Sequence, residues 1–155
     1  MTVIPDRRVF FVGDSFVAGV GDPEHRGWVG RLAARSHRDG VPITSYNLGV
    51  RRDTSGDVCR RWPSEVAARR AAGREERLVV SFGVNDTTVE NGGCVRVEPA
   101  RSIANLLTVA DRASAVAPHC SWSVRRRSTI PRRTSGSQRS TRCSAQSPPR
   151  PGCRT

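Results

Sequence analysis

Residues 10–21 read FFVGDSFVAGVG, from Phe10 to Gly21. With Arg8 and Val9 in front, the stretch opens as a short apolar run of β-branched and aromatic residues. Pro5 and Gly13 bound it, as expected of a buried strand. At its carboxyl end stands Gly13-Asp14-Ser15. A small residue there lets the chain turn sharply and present the Ser15 hydroxyl at the sheet edge, beside the start of a helix. Asp and Ser are also common helix caps, so taken alone these three residues fit a cap as well as a nucleophile.

Working outward, Trp28, Val29, Leu32 and Ala33 recur at helical spacing, and Pro42 to Asn47 forms a second, less apolar strand. From Thr54 to about Ala72 the sequence reads as a helix opened by an Asp or Thr cap, with Pro63 expected to kink or split it. Arg77 to Phe82 is the clearest third strand. Between Pro99 and Val116, Ile103, Leu106, Leu107, Val109, Ala110 and Ala113 give an amphipathic helix that packs on a sheet. Strands alternating with helices predict a parallel α/β sheet, and such sheets carry their sites at the carboxyl ends of the strands.

Two more segments follow strands in the same way: YNLGVRRDTSGD from Tyr46 to Asp57, and VSFGVNDT from Val80 to Thr87. Together with FVGDSFVAGVG they resemble, in order and spacing, the first three sequence blocks of the GDSL, or SGNH, serine hydrolases. The resemblance covers about the first 118 residues. It implies a three-layer α/β/α, flavodoxin-like parallel sheet, truncated here to about three strands. It also implies a carboxylic ester hydrolase of the lipase, esterase or acylhydrolase kind, with no metal or organic cofactor and a small-molecule ester as substrate.

Position by position, the resemblance makes Ser15 the acylated nucleophile. The oxyanion would be held by the Ser15 N–H, the Arg52 N–H and the Asn85 side-chain amide. Gly13, Asp14, Gly49, Gly83 and Asp86 are supporting positions of the motifs. The second block departs from the family pattern, because Arg52 stands where a glycine is usual. Any residue other than proline supplies a backbone N–H. The Arg52 side chain is then either solvated or placed at the mouth of the site, narrowing it or favouring an anionic substrate.

A serine needs a base, and these enzymes use an Asp-x-x-His near the C-terminus. The sequence has none there; its one Asp-x-x-His, Asp22 to His25, lies just after the first block, and its other histidines are His37 and His119. The triad is therefore incomplete, and the 155-residue chain is expected to lack measurable turnover. A binding module on the same fold, with Ser15 and Asn85 retained, is the alternative.

Composition divides the chain. Net charge is +12, all of the positive charge being arginine, and mean hydropathy is −0.48. Residues 119–155 hold no acidic residue and almost no apolar ones. The expectation is a partial domain over 1–118 and a disordered Arg/Ser/Pro-rich tail over 119–155, since too little surface can be buried to offset ordering entropy. A nucleic-acid-binding tail is a competing reading, but the tail lacks lysine, RGG repeats and interleaved aromatic residues.

Codons permitted for Cys120 to Pro131, read one base earlier, encode LLVVGPPPVDDP, an apolar strand and a Pro-rich loop. Continuing to Thr155, permitted codons give a string like AAHVGVAALDALLGAVAAAGVPY, an amphipathic helix leading into another strand. Both are expected next in the family fold, so the tail reads as out of frame. No stretch approaches the ~20 apolar residues of a membrane span. MTVIPDRR leads straight into a strand, so a cytoplasmic protein is expected. Five cysteines without CxxC spacing support neither a disulfide framework nor a zinc site. The oligomeric state is left open.

Overall fold

The computed structural model describes residues 5–90 and 93–116. Three parallel strands, β1 (Arg7–Gly13), β2 (Thr44–Gly49) and β3 (Glu75–Ser81), lie in the order β2-β1-β3. The apolar run of β1 is central because both of its faces are covered. Phe10 and Val12 point into one core, and Val9 and Phe11 into the other.

The helices α1 (Ser15–Ala18) and α2 (Gly27–Arg38) supply Val17 and Val29 to the Val9–Phe11 side. On the opposite side α3 (Ser55–Ala67) and α4 (Pro99–Val116) supply Val58, Trp62, Val66, Val109 and Ala113. This is the expected α/β/α layering. Trp62, Phe10 and Phe11 are its largest fully buried side chains, each worth roughly 1.5–3 kcal/mol or more of apolar transfer. Phe10 stacks on Tyr46, its register partner on β2, with ring centroids 5.2 Å apart.

Several expectations need correction. Pro63 neither splits nor ends α3, which runs unbroken from Ser55 to Ala67. Val58, Trp62 and Val66 are buried on both sides of the proline, and that packing outweighs the one backbone hydrogen bond it removes. The same helix ends at Ala67, earlier than Ala72, and β2 begins at Thr44 instead of Pro42. Trp28 and Leu32 lie partly in solvent, and on α4 Val109 and Ala113 are buried while Ile103 and Leu107 stay exposed. Apolar spacing marks a face without saying how much of it finds a neighbour. Residues 119–155, and with them the expected disorder, lie outside the described residues.

Candidate active site

In the register of the sheet, Gly13 is opposite Gly49 on one side and Ser81 on the other. The chain therefore leaves all three strands at one level. The three segments singled out in the sequence begin side by side at the carboxyl edge. Neither glycine can carry a side chain. A Cβ on Gly13 would sit 1.9 Å from the Ser81 carbonyl oxygen, and one on Gly49 would sit 2.1 Å from the Ala18 nitrogen. Bare backbone at these two points lets α1 settle directly on the strand ends.

Asp14, and not Ser15, caps α1: its Oδ1 accepts the Phe16 N–H at 3.0 Å. Ser15 is the first residue of the helix and is half-buried. Asp14 is 1% exposed. Burial pushes its carboxyl above the ordinary aspartate range; the Phe16 N–H opposes that shift, and the charges of Asp53 and Asp86 add to it. Asn47 anchors the helix from the second segment, its Nδ2 donating to the Val17 carbonyl at 2.8 Å and its Oδ1 accepting the Gly49 N–H at 3.0 Å.

The loop after β2 is tied back to β1 by the Val50 N–H, which donates to the Gly13 carbonyl at 2.9 Å. Two residues on, Arg52 has φ +70°. This left-handed conformation costs a residue with a Cβ about 1–2 kcal/mol, which gives a physical reason for glycine at this point of the motif. The Arg52 carbonyl accepts Arg96 Nη1 at 2.9 Å. Its N–H, the expected oxyanion donor, makes no hydrogen bond among the described residues.

In the third segment Gly83, at φ +114°, turns the chain away from β3. Asn85 Nδ2 then donates to the Asp53 carbonyl at 2.8 Å. An amide NH₂ carries two donors, so this bond fixes the side chain and leaves the second N–H available. The bond crosses to the second segment, 32 residues away, instead of closing a local turn. Asp86, 1% exposed, accepts the Ser55 N–H at 2.8 Å and the Ser102 hydroxyl at 2.5 Å. It thereby joins β3, α3 and α4 beneath the site.

The structure thus brings Gly13, Asp14, Ser15, Gly49, Arg52, Asn85 and Asp86 to one edge, with Gly83 as the hinge. It places no histidine with them among the described residues. His25 lies in the turn before α2, His37 in the last turn of that helix, and His119 outside the described residues. No group of three or more metal-ligating side chains occurs among the described residues. No described helix is long and apolar enough to cross a membrane.

A serine thus follows the first strand of this parallel α/β/α sheet and an asparagine follows the third. The family model of the GDSL-like Lipase/Acylhydrolase family matches residues 11–146. The chain belongs to that family. Among solved structures it is similar to AlinE4, an SGNH-hydrolase family esterase, at 21% identity and a TM-score of 0.64, covering 78% of this chain and 60% of that one. It is similar to TesA at 26% identity and a TM-score of 0.62, covering 76% and 58%. Esterase EstA from Pseudoalteromonas sp., in a structure inhibited by monoethylphosphonate, matches at 19% identity and a TM-score of 0.60, with 76% and 58% covered. The chain thus spans about 60% of the length of such structures. No curated protein matches the sequence significantly.

Proposed function

We propose that this chain is the N-terminal part of a serine ester hydrolase that works through an acyl-enzyme. Ser15 Oγ attacks the ester carbonyl carbon, its proton passing to a base, and the alcohol leaves with a proton returned from that base. Water then releases the acid by the same route. The tetrahedral oxyanion is held by the N–H groups of Ser15 and Arg52 and by the second N–H of Asn85. One such donor is worth about 10²–10³ in rate.

The observation that carries this reading is the Asn85–Asp53 bond of 2.8 Å. It orients an amide from the third segment at the edge where Ser15 and Arg52 also lie. Structures similar in fold include esterases, one of them in a structure inhibited by monoethylphosphonate. We infer that the family's base is missing from these 155 residues: their one Asp-x-x-His, Asp22 to His25, follows the first block instead of lying near the C-terminus, and His25 sits in the turn before α2. We therefore propose that the chain by itself does not turn over, and that residues 119–155 are encoded out of frame. The family match itself extends to residue 146.

Two measurements test the reading. The 155-residue chain should hydrolyse p-nitrophenyl acetate no faster than its Ser15→Ala variant. The nucleotide sequence beyond codon 118 should carry an Asp-x-x-His in another frame. Turnover that depends on Ser15 in the present chain, or the absence of any such codons, overturns the account of the missing base.

A further inference from the structure

Arg61 was not singled out in the sequence, yet its side chain makes four hydrogen bonds at the site while only 18% exposed. From α3 its Nη2 donates to the Gly13 carbonyl at 2.8 Å, and its Nη1 to the Leu48 carbonyl at 3.0 Å. Its Nε donates to Asp53 Oδ2 at 2.6 Å, and Nη1 also reaches Glu65 Oε2 at 3.0 Å. One guanidinium therefore spans the last turns of β1 and β2 and the loop that follows β2.

We propose that Arg61 is the positioning residue of this site, holding the Ser15 and Arg52 segments in register with Asn85. The inference rests on the serine hydrolase reading for its purpose, though not for its geometry. Gly13 is two residues before Ser15, so fixing its carbonyl fixes where the nucleophile's turn begins. Asp53 follows Arg52, and its own carbonyl is the acceptor of Asn85 Nδ2 at 2.8 Å. Holding the Asp53 side chain thus sets the Arg52 N–H and the Asn85 amide together.

The chemistry requires arginine. Its planar fork presents five fixed donors, enough to meet two carbonyls and two carboxylates at once, where a lysine ammonium has three donors on a flexible stem. Its charge also stands against Asp53 and Glu65, so neither carboxylate is left unpaired at the strand ends. The Gly13 carbonyl, which already accepts the Val50 N–H at 2.9 Å, gains a second donor from the same guanidinium that bonds the Leu48 carbonyl.

Nitrogen-15 NMR of the full 155-residue chain tests this without any enzyme turnover. In the unaltered chain the Arg61 Nη protons should appear as separate, slowly exchanging signals, because four acceptors block rotation of the fork. In Arg61→Met the Ser15 and Arg52 amide signals and the Asn85 side-chain NH₂ pair should shift, while Gly30 on the opposite layer should not. Arg61→Lys, which keeps the charge, should shift the same signals and leave the helical content unchanged. A freely rotating guanidinium in the unaltered chain overturns the proposal even if the methionine variant fails to fold. So does either variant that leaves the Asn85 and Ser15 signals in place, whatever its thermal stability. Because labelling or acylation of Ser15 is not measured, the clamp and the hydrolase reading fail separately.

Discussion

The carboxylate of Asp86 accepts the backbone N–H of Ser55 at 2.8 Å, joining the segment after β3 to the first turn of α3. Its other oxygen accepts the Ser102 hydroxyl at 2.5 Å. An acidic residue that is 1% exposed is held in place by donors from two helices. Within the segment VSFGVNDT, Asp86 is thus structural, whatever Asn85 does.

Replacing Asp86 by alanine leaves the Ser55 N–H buried without an acceptor. A lost bond to a charged acceptor plus an unsatisfied donor costs about 2–3 kcal/mol. Urea unfolding should show that loss for Asp86→Ala and about 1 kcal/mol for Ser102→Ala. Equal stability of Asp86→Ala and the parent would contradict the contact.

Gly13→Ala and Gly49→Ala should each prevent folding or cost at least roughly 3 kcal/mol, because backbone and not a movable side chain stands in the way. Gly56→Ala is the control. It lies in the first turn of α3, where a Cβ meets nothing closer than 3.6 Å, and it should gain about 0.5–1 kcal/mol. Circular dichroism melts of the three variants separate these outcomes.

Arg52→Gly should be mildly stabilising, an unusual sign for a change to glycine. Relief of the φ +70° conformation is worth about 1–2 kcal/mol, against ~0.5–1 kcal/mol of added chain entropy. The net gain is on the order of 0.5 kcal/mol, read as a rise in Tm. Arg52→Ala keeps the conformational cost and should not rise.

Acid sensitivity should follow the cap of α3. The Thr54 hydroxyl and N–H both donate to Asp57 Oδ2, at 2.6 and 2.9 Å. The Thr54 side chain is the main reason that the Asp57 carboxyl titrates below its ordinary 3.8. A depressed carboxylate contributes stability above its unfolded value and loses it as pH falls through the folded one. The parent should therefore exceed Asp57→Ala by ~1 kcal/mol at pH 7, with the gap closing below about pH 4. Asp14 runs the other way: its raised carboxyl contributes most when protonated at low pH, and that contribution is lost as pH rises through its folded value.

Much of this site was legible because its chemistry sits where periodic apolar runs stop. Ser15, Arg52 and Asn85 each follow a strand whose hydrophobic pattern is readable locally. Arg61 was not legible: its acceptor at Gly13 is 48 positions away in sequence, and another arginine, Arg60, stands beside it. The split expected at Pro63 does not occur, because a local rule about the missing N–H says nothing of what Trp62 and Val66 bury. Ile103 and Leu107 have the spacing of a core face, but spacing does not specify the neighbour that would cover them.

The measurement bearing most directly on Ser15 as nucleophile is ester hydrolysis by the protein read onward in the alternative frame after codon 118, which the proposal expects to supply the base. The account predicts turnover of p-nitrophenyl acetate that falls by at least ~10⁴-fold in Ser15→Ala. Hydrolysis that Ser15→Ala leaves unchanged would contradict it.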